Sequence, residues 1–178
     1  MGIGGGVCQA STTVYLAAIC AGLQIVDRVP HSDPVGYTSF GRDATVYMSS
    51  NRKIDLVFRN NTEGNIYITA AVKQDPANRR RLVSEVAIYG QSLGNVAYRL
   101  DTQEVRTIPA PEEPELIKDT QKKHVTYVDQ QYQVRKARDG HVVASYLVRL
   151  EEGREVERTL VDEDTYKARA ARYYVGTT

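Results

Sequence analysis

A single stretch of this sequence has helical character, and that limits the fold more than any other feature. Residues Val14-Tyr15-Leu16-Ala17-Ala18-Ile19-Cys20-Ala21 are apolar nearly all round. A helix of that kind is a buried one. Alanine and leucine favour it, and Gly22 suits a left-handed cap at its end. The sequence therefore predicts a helix over about Cys8 to Ala21. The run is too short for the ~18 to 20 apolar residues of a membrane span, and Gly22 and Gln24 interrupt it. No charged segment precedes it, so it is a poor signal peptide.

From Ala44 onward the pattern is that of strands. Ile54, Leu56 and Phe58 alternate with Asp55, Val57 and Arg59. Asn60 to Asn65 reads as a turn and Ile66 to Val72 as the returning strand. Leu82, Val86 and Ile88 share a strand face, and Val96 to Ile108 offers two short strands around Asp101-Thr102. The expected arrangement is a meander in which each strand neighbours the next. Pro109 to Glu115 holds three of the six prolines and is acidic, which predicts an extended, solvated linker. Beyond it His124 to Val128, Tyr132 to Ala137, His141 to Leu150 and Val156 to Val161 read as strands. Asp139-Gly140 is a strong hairpin signal and Glu152-Gly153 a weaker one. The expected fold class is α+β, with one buried N-terminal helix on a mainly antiparallel sheet, followed by a small all-β module.

Composition narrows the function classes. With 178 residues, 42% hydrophobic and 25% charged, the chain can build a core without disulfides or metal. A formal net charge of +1 favours neither nucleic acid nor an anionic membrane surface. The two cysteines, Cys8 and Cys20, would lie roughly 18 Å apart on one helix, too far for a disulfide. They are also too few for a structural zinc site. His31, His124 and His141 show no metal-ligand spacing, so neither metal nor cofactor is expected. Nothing in the sequence sets the oligomeric state.

The pattern with most chemical content is Cys8 behind a glycine run, Gly2 to Gly6, at the start of the helix. A helix N-terminus presents free N–H groups and the positive end of the dipole, and both favour thiolate over thiol. The same N–H groups suit a developing oxyanion. Gly5 and Gly6 let a substrate backbone come close, and the Ser11 hydroxyl is a candidate contact. His31, in the two-proline loop Val29 to Tyr37, is the candidate base, with Asp33 or Asp43 to orient it. Arg42 has the bidentate fork that clamps a carboxylate. Each residue also has an ordinary reading. Cys8 would be a small structural hydrophobe, His31 a turn residue and Arg42-Asp43 a local ion pair. Cys20 reads as inert core, and Arg79-Arg80-Arg81 as a solvated loop.

Several segments together resemble the VanW family: Gly4-Gly5-Gly6-Val7-Cys8-Gln9-Ala10-Ser11-Thr12-Thr13-Val14-Tyr15, Pro30-His31-Ser32, Gly41-Arg42-Asp43-Ala44-Thr45-Val46, and Leu56 to Asn61. By this resemblance residues 1–108 form a VanW-like domain whose front half is missing. Residues 109–178 form a proline-rich linker and a small β module similar to part of a G-five domain. The resemblance implies an extracytoplasmic, cell-envelope protein of Gram-positive type whose partners are peptidoglycan stem peptides. It also implies a candidate cysteine L,D-transpeptidase with Cys8 as nucleophile, closing 3–3 cross-links through an acyl-enzyme. The alternative is a non-catalytic cell-wall or glycopeptide-binding module linked to vancomycin resistance. Part of the site is expected to lie in the missing half.

Overall fold

A computed structural model describes residues 5–178. The start of the glycine run, Gly2 and Gly4 included, lies outside the described residues. The elements in chain order are helix α1 (Val7–Cys20) and twelve strands: β1 (Gln24–Asp27), β2 (Tyr47–Met48), β3 (Lys53–Ile54), β4 (Val57–Arg59), β5 (Tyr67–Asp75), β6 (Asn78–Tyr89), β7 (Val96–Ile108), β8 (Glu115–Lys118), β9 (Gln131–Arg135), β10 (Gly140–Glu151), β11 (Arg154–Tyr166) and β12 (Arg172–Val175).

The α+β expectation, a helix laid on one main sheet, is not met. Among the described residues the protein is mostly β, with one helix of 14 residues and several small sheets. Two-stranded sheets pair β1 with β4, β2 with β3 and β5 with β6, and three-stranded sheets have the orders β11-β10-β7 and β8-β12-β9. Within Ala44 to Ile108 the meander expectation holds for β2–β3 and β5–β6, but β4 pairs with β1 and β7 with β10; beyond it, β8 and β12 form a parallel pair.

The helix starts one residue before the expected boundary. Gly6 is its N-cap at φ 89°, a left-handed conformation that glycine adopts without strain. At the other end the Gly22 N–H donates to the Ile19 carbonyl and the Leu23 N–H to the Ala18 carbonyl, both at 3.0 Å. With Gly22 at φ 68° this is a Schellman cap. A side chain at Gly22 would meet the Tyr98 ring. Cys20 is exposed on the last turn, not buried.

The chain divides into two compact units, Met1–Gln103 with Ala144–Asp164, and Glu104–Val143 with Thr165–Thr178. In the first, Tyr15, Ile19, Ala44 and Leu100 form the core, with Leu16, Ile25, Leu56 and Leu147 packed against it. Glu152 (φ 48°) and Gly153 (φ 78°) make the tight turn between β10 and β11, so the weaker hairpin signal marks the true hairpin.

In the second unit Asp139-Gly140 joins strands that do not pair, since β9 pairs with β12. The Asp139 carboxylate accepts the Ala110 N–H at 2.8 Å, and Gly140 lies against the backbone of Tyr166 and Ala168, where a side chain has no room. The segment from His124 to Val128 is not a strand. Buried Asp119 accepts the N–H groups of Lys123, His124 and Val125, at 3.1, 2.6 and 3.1 Å, and so takes donors a ladder would need. His124 is stacked between Tyr132 and Tyr174, with ring centroids 4.8 and 4.7 Å away.

Candidate functional site

The loop after β1 carries His31, and the segment Asp43 to Val46 runs beside the first turns of α1; the partner of Cys8 is the chain of Val46, and that of His31 is Asp43. The Cys8 thiol donates to the Val46 carbonyl at 3.3 Å. One turn further along the helix, the Thr12 hydroxyl accepts the Ala44 N–H at 3.0 Å and points back at the Ala44 carbonyl at 3.5 Å. Residues 44–46 are thus stitched to the helix face that carries Cys8 and Thr12.

Asp43, next along this segment, orients His31. Its Oδ2 accepts the His31 backbone N–H and the Nδ1–H, each at 2.7 Å. An ionised carboxylate only accepts, so opposite such a group the proton of the imidazole belongs on Nδ1 and Nε2 is the nitrogen left for another partner. Of the two acids open in the sequence, Asp43 is the one bonded to the imidazole, and Asp33 is exposed. Tyr37 completes the group. Its ring meets His31 edge-on at 6.5 Å, and its hydroxyl lies against the Thr12 side chain. Burial pushes the Tyr37 phenol up, and the neighbouring Cys8 and Asp43 push it further, against the pull of Thr12.

Behind Asp43 lies a buried charge network. Arg28 Nε donates to the Asp43 carbonyl at 2.6 Å, and its Nη2 stands 3.7 Å from Asp43 Oδ1. Its Nη1 reaches both Asp164 oxygens, at 2.6 and 2.7 Å, and Asp162 at 3.3 Å. The guanidinium also sits 5.3 Å from the centroid of the buried Tyr15 ring. Burial works against the Arg28 charge, but the bond to Asp164 outweighs it and holds the guanidinium protonated. Burial pushes the Asp164 carboxyl up, opposed by Arg28, and lifts the Tyr15 phenol to about 12.

The other expected site residues are placed as follows. Arg42 donates to the Leu100 carbonyl at 2.8 Å, so its guanidinium is engaged by backbone. Ser11 is buried, and Thr12 is the hydroxyl that meets the Asp43 segment. Gly5 and Gly6 are exposed ahead of the helix. With glycine as N-cap no side chain caps the helix, and no acid occupies its first turn. The start of α1 thus keeps the positive end of its dipole free of any acidic side chain from its own first turn. Sequence reasoning missed Tyr37, Arg28, Asp162 and Asp164. The alternation Asp162-Glu163-Asp164 puts two acids on one strand face, and that was the available signal for a buried cation. Among the described residues no group of His, Cys, Asp and Glu suits a metal ion, and no helix is long and apolar enough to cross a membrane.

Comparison with known proteins gives a family model and a few relatives. Residues 1–80 match the model described as VanW like protein. A stretch of 45 residues is 56% identical to the uncharacterized protein YoaR of Bacillus subtilis (strain 168), and covers 25% of this chain and 15% of that protein. Among solved structures, the IgA1 protease G5 domain is similar over 47% of this chain and 90% of its own, at 18% identity and a TM-score of 0.29. HP0197-G5 is similar over 44% of this chain and 97% of its own, at 15% identity and a TM-score of 0.23. At those scores neither structure bears on fold or function.

Proposed function

We propose that this chain, which belongs to the VanW family through residues 1–80, is a cell-envelope protein with cysteine acyltransferase chemistry on peptidoglycan stem peptides. The observation that carries the reading is the doubly bonded Asp43. Its carboxylate fixes His31, while residues 44–46 of the same segment bond Thr12 and Cys8. A nucleophile, a base and an orienting acid are thereby linked through one short stretch of chain.

In this reading Cys8 Sγ attacks the carbonyl that precedes a terminal D-alanine. Its proton passes to His31 Nε2, and Asp43 stabilises the imidazolium. The N–H groups at the start of α1 hold the developing oxyanion. The C–N bond then breaks, His31 returns the proton to the leaving amine, and a thioester remains on Cys8. The amine of a second stem attacks the thioester, loses a proton to His31 and releases the thiolate as a 3–3 cross-link closes. Family membership supports the extracytoplasmic setting that such a substrate requires.

The test is muropeptide mass spectrometry of sacculi from cells expressing the protein with Cys8 intact or as Cys8→Ala. The expected result is loss of the protein-dependent 3–3 cross-links in Cys8→Ala. Cross-links that persist at the wild-type level with Cys8→Ala, the variant protein being folded and present, overturn the reading.

A further inference from the structure

Beside Thr12 and Tyr37 there is a cleft of about 360 Å³, walled on one side by α1 and on the other by the β5–β6 hairpin. Gln9 and Thr13 line the helical wall, and Asp75 and Arg81 line the hairpin wall. Arg81 reaches it because the hairpin is irregular. Gln74 faces Leu82, and Asp75 faces Asn78, so one step along β5 is matched by four along β6. Arg79, Arg80 and Arg81 are the unmatched residues between. An extra segment of this kind bends a strand and re-aims its side chains, as bulges beside binding sites do. The three arginines, read as a solvated loop from sequence, form that bulge.

Two observations mark Arg81 rather than Arg42 as the anion receptor. The Arg42 guanidinium is already held by the Leu100 carbonyl at 2.8 Å. Arg81 has no ion-pair partner among the described residues, and its cleft is continuous with Thr12 and Tyr37 of the Cys8 site. The acid on the same wall, Asp75, accepts the Ala77 N–H at 2.8 Å at the hairpin tip and disfavours an anion at that end. A ligand with a free carboxylate is thus directed to the guanidinium fork.

We propose that Arg81 binds the terminal α-carboxylate of the donor peptide, with the peptide laid along the Thr12–Tyr37 wall toward Cys8. This rests on the acyl-transfer reading for the choice of peptide. Its test does not need turnover. In the Cys8→Ala chain, where no acyl transfer occurs, Nα-acetyl-L-lysyl-D-alanine and its C-terminal amide are titrated and followed by amide chemical shifts. The acid is expected to bind about fivefold to tenfold tighter than the amide, with shifts at Thr12, Thr13 and Ser84. Arg81→Gln should remove the preference and Arg81→Lys restore part of it, while Arg80→Gln keeps it. Equal binding of acid and amide, or a preference that survives Arg81→Gln, overturns the assignment. A preference that depends on Arg81, found alongside cross-links that persist in Cys8→Ala, leaves the carboxylate site standing and removes only the catalytic reading.

Discussion

His31 and His141 are equally exposed, at 20% of the side chain, and each places Nδ1 close to a carboxylate, at 2.7 and 2.9 Å. The carboxylates differ. Asp43 is 1% exposed and Glu104 is 45% exposed. Asp43 also accepts the His31 backbone N–H and faces Arg28, so its position is determined from several sides. Glu104 is held by Thr107 and then His141, which keep its carboxyl below the usual range while water competes for both. A similar contrast runs through the arginines. Arg28 is buried among acids, whereas Arg99 and Arg158 bridge Asp101 and Glu155 at the surface. Similar pairs in sequence thus act as a rigid support in one place and a solvated contact in the other. Burial of the acid makes the difference.

Removing the buried cation should have the largest effect. Arg28→Met leaves Asp43 and Asp164 buried without their counter-ion and is expected to cost about 3–5 kcal/mol by chemical denaturation. The exposed counterpart, Arg158→Met, should leave the midpoint close to wild type. Equal losses from the two would erase the distinction between the networks. Next in size, Asp43→Asn keeps the shape and removes the charge, for an expected loss of roughly 1.5–3 kcal/mol. It should also slow alkylation of Cys8, whereas Glu104→Gln should change neither quantity.

A backbone effect comes third. Gly22→Ala forces a side chain into a left-handed cap against Tyr98, at a cost of about 1–2 kcal/mol, read as a lower melting midpoint. The smallest effect concerns acid. The N–H group of His124, then burial acting in opposition, then those of Val125 and Lys123, set the Asp119 carboxyl below its ordinary value. The unfolded chain binds that proton more readily, so the contribution is fully present above about pH 4 and fades as pH falls through the lower folded value. Asp119→Asn should flatten the acid limb of a denaturation profile, and an unchanged limb would assign it to other groups.

The legible parts of the fold were local. The apolar run and Gly22 marked the helix and its cap, because propensity and a Schellman turn depend on neighbours in sequence. That β5 neighbours β6 followed from the expected meander, but the strand read as returning after the turn Asn60 to Asn65 does not pair with Ile54 to Phe58, because β4 pairs with β1. Pairings between distant segments were not, and β8-β12-β9 has no signature in any one stretch. Asp139-Gly140 misled because the same dipeptide also serves where a carboxylate caps a distant N–H and a backbone crosses closely. For the proposed site, Cys8 and His31 were nameable because each sits among unusual neighbours in the chain, whereas the choice between Asp33 and Asp43 beside His31 needed the fold. Arg28 with Asp164 was not, since 136 positions separate the two and burial alone gives the pair its weight.

In the proposed acyl transfer, Cys8, His31 and Asp43 work as one unit. The most direct measurement is the rate of iodoacetamide labelling at Cys8 by peptide mass spectrometry, with exposed Cys20 as the internal control. At neutral pH Cys8 should label faster than Cys20 although it is less exposed, and His31→Ala and Asp43→Asn should slow Cys8 alone. Labelling of Cys8 at or below the rate of Cys20, unchanged by either substitution, would contradict the claim and leave Cys8 a structural cysteine.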